Sequence, residues 1–196
     1  RTEDHVRPRE VDHDLARAIA EAPVLMDGSG FRTRARVYEL SAELLRETDF
    51  SRALQKVLEV AVALLKADKG NVLLFEEERK ELRLANSIGF PQEFRERYAT
   101  LPSDSSTACG RAFQGRRRVV VEDIHRDPGF QKLGLENHSF GFSAVQSTPL
   151  RGRNGRLFGI LSTHYDRPRR PSNEDLGTLD LFMHEAEQVF ALLETR

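Results

Sequence analysis

Apolar positions along this chain change their period several times, and the changes mark out its elements. Val37, Leu40 and Leu44 recur at i, i+3 and i+7, which predicts a helix through about Glu47. Asp49 or Ser51 then caps a second helix, where Leu54, Val57, Leu58, Ala61, Val62 and Leu65 form a wide apolar stripe. From Gly70 to Phe75 and from Leu82 to Ser87 the pattern shortens to that of two strands, joined by the charged turn Glu76–Glu81. A short helix follows with Pro91 at its first position, and another covers Ala108–Gln114. Val119–Val121 is a β-branched triplet and reads as a short strand. Ser143–Leu150 and Leu157–Tyr165 are longer strands, paired as a hairpin across Arg151–Arg156. There Asn154-Gly155 supplies two residues tolerant of positive φ. After the proline-broken connector Arg167–Pro171, Ser172 and Asp175 make a near capping box for a last helix. This order predicts an α+β domain, sandwich-like in α/β/α layers. Terminal helices cover one face of a central antiparallel sheet, and loops with short helices cover the other.

The flanking composition changes the picture only at the N-terminus. Residues 1–30 are polar and acid-leaning, with a short helix over Val11–Glu21 closed by Pro23 and Gly28-Ser29-Gly30, and they read as a linker or the tail of a preceding module. The chain lacks a starting methionine and a hydrophobic signal region, so a piece of a longer protein or a trimmed start is expected. The domain proper is expected over 31–193.

Charge narrows the partners. Thirty basic and 31 acidic residues leave a net charge of −1, so no global field favours nucleic acid or an anionic membrane. The Arg116–Arg118 and Arg167–Arg170 clusters carry no interleaved aromatics to stack on bases, and the first suits a charged strand edge. Apolar runs such as Val57–Leu65 fall far short of the roughly 20 residues of a membrane span. A single cysteine excludes an internal disulfide and fits a reducing, cytoplasmic setting.

One stretch carries a family likeness. Val119–Val121, Glu122-Asp123, the Asp127-Pro128-Gly129 turn and Phe130 are followed by the strand ending in Pro149-Leu150 and by Leu157–Thr163. This resembles the GAF domain, a small sensory module related to PAS, and looks most like the GAF domains of bacterial sensor histidine kinases. The resemblance runs from about Phe31 to Leu193. It implies a PAS/GAF-like sheet, a small-ligand site on the face away from the terminal helices, and an output domain, kinase or other, in the parent protein.

The roof of such a site falls between Ser105 and Phe142. Candidate ligand-contacting residues there are Cys109, Phe113, Asp123, Phe130, Leu133, His138 and Phe142, with Leu135 and Phe140 between them. Two readings stand open: a small-molecule pocket, or aromatics that fill the space under a long loop. Asp123, at a strand end before a turn, also suits accepting backbone N–H groups of its own loop. Cys109 is either a redox-sensing thiol near a helix N-terminus or a small buried one. GAF domains that reduce free methionine sulfoxide use several cysteines and this chain has one. In phytochromes the bilin-bearing cysteine would fall near Leu133, and no cysteine follows Cys109. Noncovalent haem would need His138 or His125 as an axial ligand. No cofactor is therefore expected, and the histidines show no paired zinc-type spacing, so no metal is expected either.

The last helix carries Leu176, Leu179, Met183, Ala186, Phe190 and Leu193 at alternating three- and four-residue steps. With Val37, Leu40 and Leu44 as a matching stripe, a homodimer through these helices is expected. The functional expectation is a non-catalytic sensory domain of a signal-transduction protein. Its rivals are a GAF-fold enzyme acting on a small oxidised substrate through Cys109, and a ligand-free dimerisation module.

Overall fold

The computed structural model describes residues 28–133 and 141–194. Two helices lead: α1 (Gly28–Leu44) and α2 (Phe50–Leu64). Asp49 caps α2 by accepting the Arg52 N–H at 2.8 Å, as the sequence predicts. Helix α1 starts within the Gly28-Ser29-Gly30 stretch expected to be a linker. The expected Val11–Glu21 helix lies outside the described residues.

Six strands follow: β1 (Lys69–Glu76), β2 (Glu81–Ile88), β3 (Thr100–Pro102), β4 (Val119–Val121), β5 (Ala144–Arg151) and β6 (Leu157–Tyr165). Between them lie α3 (Gln92–Arg97), α4 (Ala108–Gly115) and α5 (Pro128–Gln131), and α6 (Asn173–Leu193) ends the domain. All pairings are antiparallel, in the order β3-β2-β1-β6-β5-β4. The fold class is the α+β arrangement expected. Strand β3 was not foreseen, and Pro91 is the cap residue of α3 rather than its first helical residue.

The β5–β6 hairpin turns through Arg153–Gly155, where Asn154 and Gly155 hold φ of 56° and 70°. Its register then pairs Ser147 with Ser162 and Val145 with His164, with one irregularity between Leu150 and Arg151.

The main core lies between the sheet and α1, α2 and α6. Leu44, Leu54, Leu58, Leu161, Tyr165, Phe182 and Phe190 are almost wholly buried there. Phe50, Phe158 and Phe190 meet pairwise at 5.4–5.6 Å, and the Tyr165 hydroxyl donates to the Leu65 carbonyl at 3.2 Å. Each such side chain contributes roughly 1.5–3 kcal/mol by leaving water. Gly70 lets α2 approach β1, because a Cβ there would sit 2.6 Å from Val62 Cγ2 and 2.8 Å from Leu58 Cδ1.

The stripe expected at a subunit interface is part of this core. Val37, Leu40, Leu44, Leu176, Leu179, Met183, Ala186 and Phe190 are each at most 9% exposed within one copy. The sheet and the pairing of α1 with α6 cover them, so they are not free to meet a second subunit. The apolar side chains exposed on these helices or just past them include Tyr38 of α1, Leu45 after its end and Leu181 of α6.

Candidate functional site

On the opposite face the sheet floors a cavity of about 300 Å³. Strand alternation explains the floor. Along β1, Gly70 and Val72 point to the helices, so Asn71 and Leu73 point away. Along β6, Leu161 and Tyr165 join the helix core, so Ser162 and His164 face the cavity. The register places Asn71, Ser162 and Ser147 in one row across β1, β6 and β5. The two serine hydroxyls share a hydrogen bond of 2.7 Å.

Aromatic and aliphatic groups wall this floor: Phe94 and Tyr98 from α3, Leu101 and Pro102 from β3, Phe130 and Leu133 from α5 and its end, and Phe142 before β5. Phe90 and Phe142 set their rings edge-on against His164 at 5.0 and 4.5 Å.

The roof is tied together by side-chain caps. Thr107 Oγ1 accepts the Gly110 N–H at the start of α4, and pairs with Ser105 Oγ at 2.8 Å and Cys109 Sγ at 3.0 Å. Asp127 Oδ1 accepts the Gly129 and Phe130 N–H groups of α5. Its carboxylate also takes two bonds from the Arg111 guanidinium of α4, at 3.0 and 3.2 Å. Ser106 Oγ donates to the Gly129 carbonyl at 2.7 Å. Helices α4 and α5 therefore form one unit over the cavity.

Two buried polar atoms at this site lack partners. Asn71 is 7% and His164 4% exposed, and neither Asn71 Oδ1 nor His164 Nδ1 has a hydrogen-bond partner. Burial, with a smaller contribution from the Lys69 charge, lowers the His164 pKa to about 3, so the imidazole is neutral near pH 7. Cys109 is also buried on the wall, and burial raises its thiol pKa against the opposing Thr107 hydrogen bond. The lining residues described include no Lys or Arg, and Asp104, the one carboxylate among them, is exposed; Lys69 lies just beyond, paired with His164 across β1 and β6.

The cavity brings together four of the expected contact residues: Cys109, Phe130, Leu133 and Phe142. Phe113 is elsewhere, packed on Phe75 at 4.5 Å beside Leu73 and Ile160. Asp123 is also off the cavity; it accepts the His125 N–H at 3.0 Å and lies 3.5 Å from the Arg126 guanidinium, so it shapes its own loop. His138 lies outside the described residues. Sequence reasoning missed Asn71, Ser147, Ser162 and His164. Their signal is a short run of polar residues inside otherwise apolar strands, Gln146–Thr148 in β5 and Ser162–His164 in β6. Among the described residues no group of three His, Cys, Asp or Glu could hold a metal, and no helix is long and apolar enough to cross a membrane.

Sheet and helices are also joined through side chains on the helix face. Gln146, Thr148 and Thr163 hydrogen-bond one another there. Arg118 donates to Thr148 Oγ1 at 3.0 Å and pairs with Asp180 of α6.

Comparison with known proteins agrees with this architecture. The family model of the GAF domain matches residues 47–191. Free methionine-R-sulfoxide reductase from Neisseria meningitidis, solved with its substrate, superposes with a TM-score of 0.70 at 19% identity, over 88% of this chain and 95% of that one. The GAF domain of an Acinetobacter phosphoenolpyruvate-protein phosphotransferase gives 0.68 at 15% identity, over 87% and 98%. A domain described as that of a two-component sensor histidine kinase protein from Sinorhizobium meliloti gives 0.57 at 20%, over 76% and 94%. No curated protein matches the sequence.

Proposed function

The chain belongs to the GAF domain family, and from that premise we propose that it is a non-catalytic sensory module of a signal-transduction protein such as a sensor histidine kinase. A small molecule enters between sheet and roof, and its presence biases α1 and α6, which pass the bias to an output domain. One observation carries this reading: the strands that floor the cavity also carry the helices. Ser162 and His164 of β6 alternate with Leu161, Thr163 and Tyr165, which pack beneath α2 and α6. A ligand can shift the helices only through a difference in affinity between two arrangements. The Thr148–Arg118–Asp180 chain is a contact in which such a difference would be felt. The homodimer stays part of the proposal, with its contact at the exposed Tyr38 of α1, Leu45 just past it and Leu181 of α6.

Native mass spectrometry of the purified protein reads occupancy directly. Hydrogen exchange before and after the bound species is stripped then reads the response. Altered protection in α1 and α6 supports the sensory reading, and unchanged protection overturns it.

A second reading is favoured by Cys109 on the cavity wall and by the likeness to a free methionine-R-sulfoxide reductase. In that chemistry a thiol takes the sulfoxide oxygen, becomes a sulfenic acid, and is restored by further thiols. The raised Cys109 pKa and the single cysteine of this chain weigh against it. Incubation with free methionine sulfoxide and dithiothreitol decides: methionine formed by the protein and lost in Cys109→Ser would make it an enzyme.

A further inference from the structure

The three consecutive arginines Arg116–Arg118 suit a charged strand edge, yet together with Arg151 of β5 they also border a second hollow, of about 380 Å³. We propose that this hollow holds the phosphate group of a small phosphate ester, gripped by Arg116 and Arg117 and competing with Asp180 for Arg118. The hollow lies on the helix side of the sheet, where Thr148 and Met183 line it. It is therefore separate from the cavity, and the proposal does not depend on what the cavity binds.

Local backbone gathers the cations. Successive side chains of a strand alternate between faces. Arg116 instead closes α4 in left-handed backbone, with φ of 51°, and Arg116, Arg117 and Arg118 all reach the hollow. Arg151 is held beside them, its guanidinium donating to the Arg116 carbonyl at 2.7 Å. Arg118 is fixed by Thr148 Oγ1 and by both carboxylate oxygens of Asp180.

Charge then selects the occupant. Four guanidiniums meet two carboxylates, Asp180 and Glu187 of α6, so positive charge is in excess. Asp180 is engaged by Arg118, whereas Arg116, Arg117 and Arg151 form no ion pair among the described residues. Guanidinium forks match the oxygens of a phosphate in pairs, and a concave wall of one sign draws an anion more strongly than an open surface does.

Size and lining point to an ester. The volume falls within the roughly 300–1,000 Å³ of small-molecule sites. Pro149 and Met183, both buried, give the organic part an apolar surface to rest on. No aromatic ring lines the hollow among the described residues, so a nucleobase finds nothing to stack on. The Arg118–Asp180 pair ties α6 to the sheet, and a phosphate that takes Arg118 loosens that tie.

Calorimetry on the whole chain at constant ionic strength tests this with inorganic phosphate and phenyl phosphate. Both are expected to bind saturably at millimolar concentration, phenyl phosphate at least about threefold more tightly because its ring leaves water. The double variant Arg116→Gln with Arg117→Gln changes two exposed side chains. It should weaken phenyl phosphate by at least about tenfold with the thermal melt unchanged. Asp180→Asn and Glu187→Gln each remove a competing negative charge, and each should tighten binding about threefold. No saturable binding of phenyl phosphate, unchanged affinity in the double variant, or unchanged or weaker binding in both carboxylate variants overturns the site. Equal affinity for the two phosphates overturns the ester.

Discussion

Ser147 and Ser162 face each other across β5 and β6, and their hydroxyls are 2.7 Å apart beneath the cavity. Both side chains are buried, so either alone leaves its partner's hydroxyl short of a bond. Ser147→Ala and Ser162→Ala should each cost about 1 kcal/mol. The double variant should cost less than their sum, because the second change removes a group already unpaired. Urea denaturation of the four proteins gives the coupling, and strict additivity would show that the hydroxyls do not act as a pair.

The roof gives a second expectation. Asp127 caps α5 and holds Arg111 of α4, with its side chain only 13% exposed. Asp127→Ala removes both roles and should cost about 1–2 kcal/mol. Asp127→Asn keeps an oxygen for the Gly129 and Phe130 N–H groups and should cost less. Denaturation midpoints rank the three proteins, and exchange of the amides at 128–131 locates the loss.

Gly110 offers a steric test of the same unit. A Cβ there would lie 2.2 Å from the Ser105 carbonyl oxygen, which is backbone and cannot step aside cheaply. Gly110→Ala should destabilise by about 1–3 kcal/mol and weaken binding in the cavity, since Ser105 lines it. Thermal melts of the two proteins read the loss of stability, and native mass spectrometry reads the occupancy of the cavity.

The pH dependence follows from His164. Its folded pKa of about 3 lies below the ordinary 6.5, so between those values the unfolded chain binds a proton that the folded chain refuses. Stability from this group is therefore full above pH 6.5 and falls as pH drops, by at most about 1.4 kcal/mol per unit. His164→Gln should lose that slope. The stability difference between the two proteins should shift in favour of the variant from pH 7 to pH 4.5. A constant difference would place the imidazole in water.

For the terminal helices, Met183→Glu should unfold the domain, because it puts a carboxylate into a position 4% exposed, at a cost above about 3 kcal/mol. Leu181→Glu lies on the outside, 47% exposed, and should change stability by no more than about 0.5 kcal/mol. If the proposed dimer forms through that face, Leu181→Glu dissociates it by light scattering. An unchanged mass moves the contact elsewhere.

The elements were legible because their periods are long and clean. The stripe of α2, the Asn154-Gly155 turn and the Ser172 cap each name one structure, and Ser172 accepts the Asp175 N–H as expected. Strand β3 was not legible: three residues ending in Pro102 carry no alternation. The stripe on α6 was seen, but spacing cannot say whether a sheet or a second copy covers it. The floor was hidden for a related reason. Gln146, Ser147 and Thr148 are all polar, as are Ser162, Thr163 and His164, and only pairing decides which face each joins. Asp127 reads from sequence as part of a turn, yet its tie to Arg111 depends on packing between two short helices that sequence does not place.

The Asn154-Gly155 turn consequently sets more than the direction of the chain. A slip of one residue in β6 would exchange its two faces, turning Ser162 and His164 toward the helices and Leu161, Thr163 and Tyr165 toward the roof. The cavity would then have an oily floor, and an imidazole would lie under α6. Two residues in left-handed backbone, at the far end of the hairpin, thus select the chemical identity of the cavity floor. A one-residue insertion there would remake the cavity floor without any substitution in β6 itself.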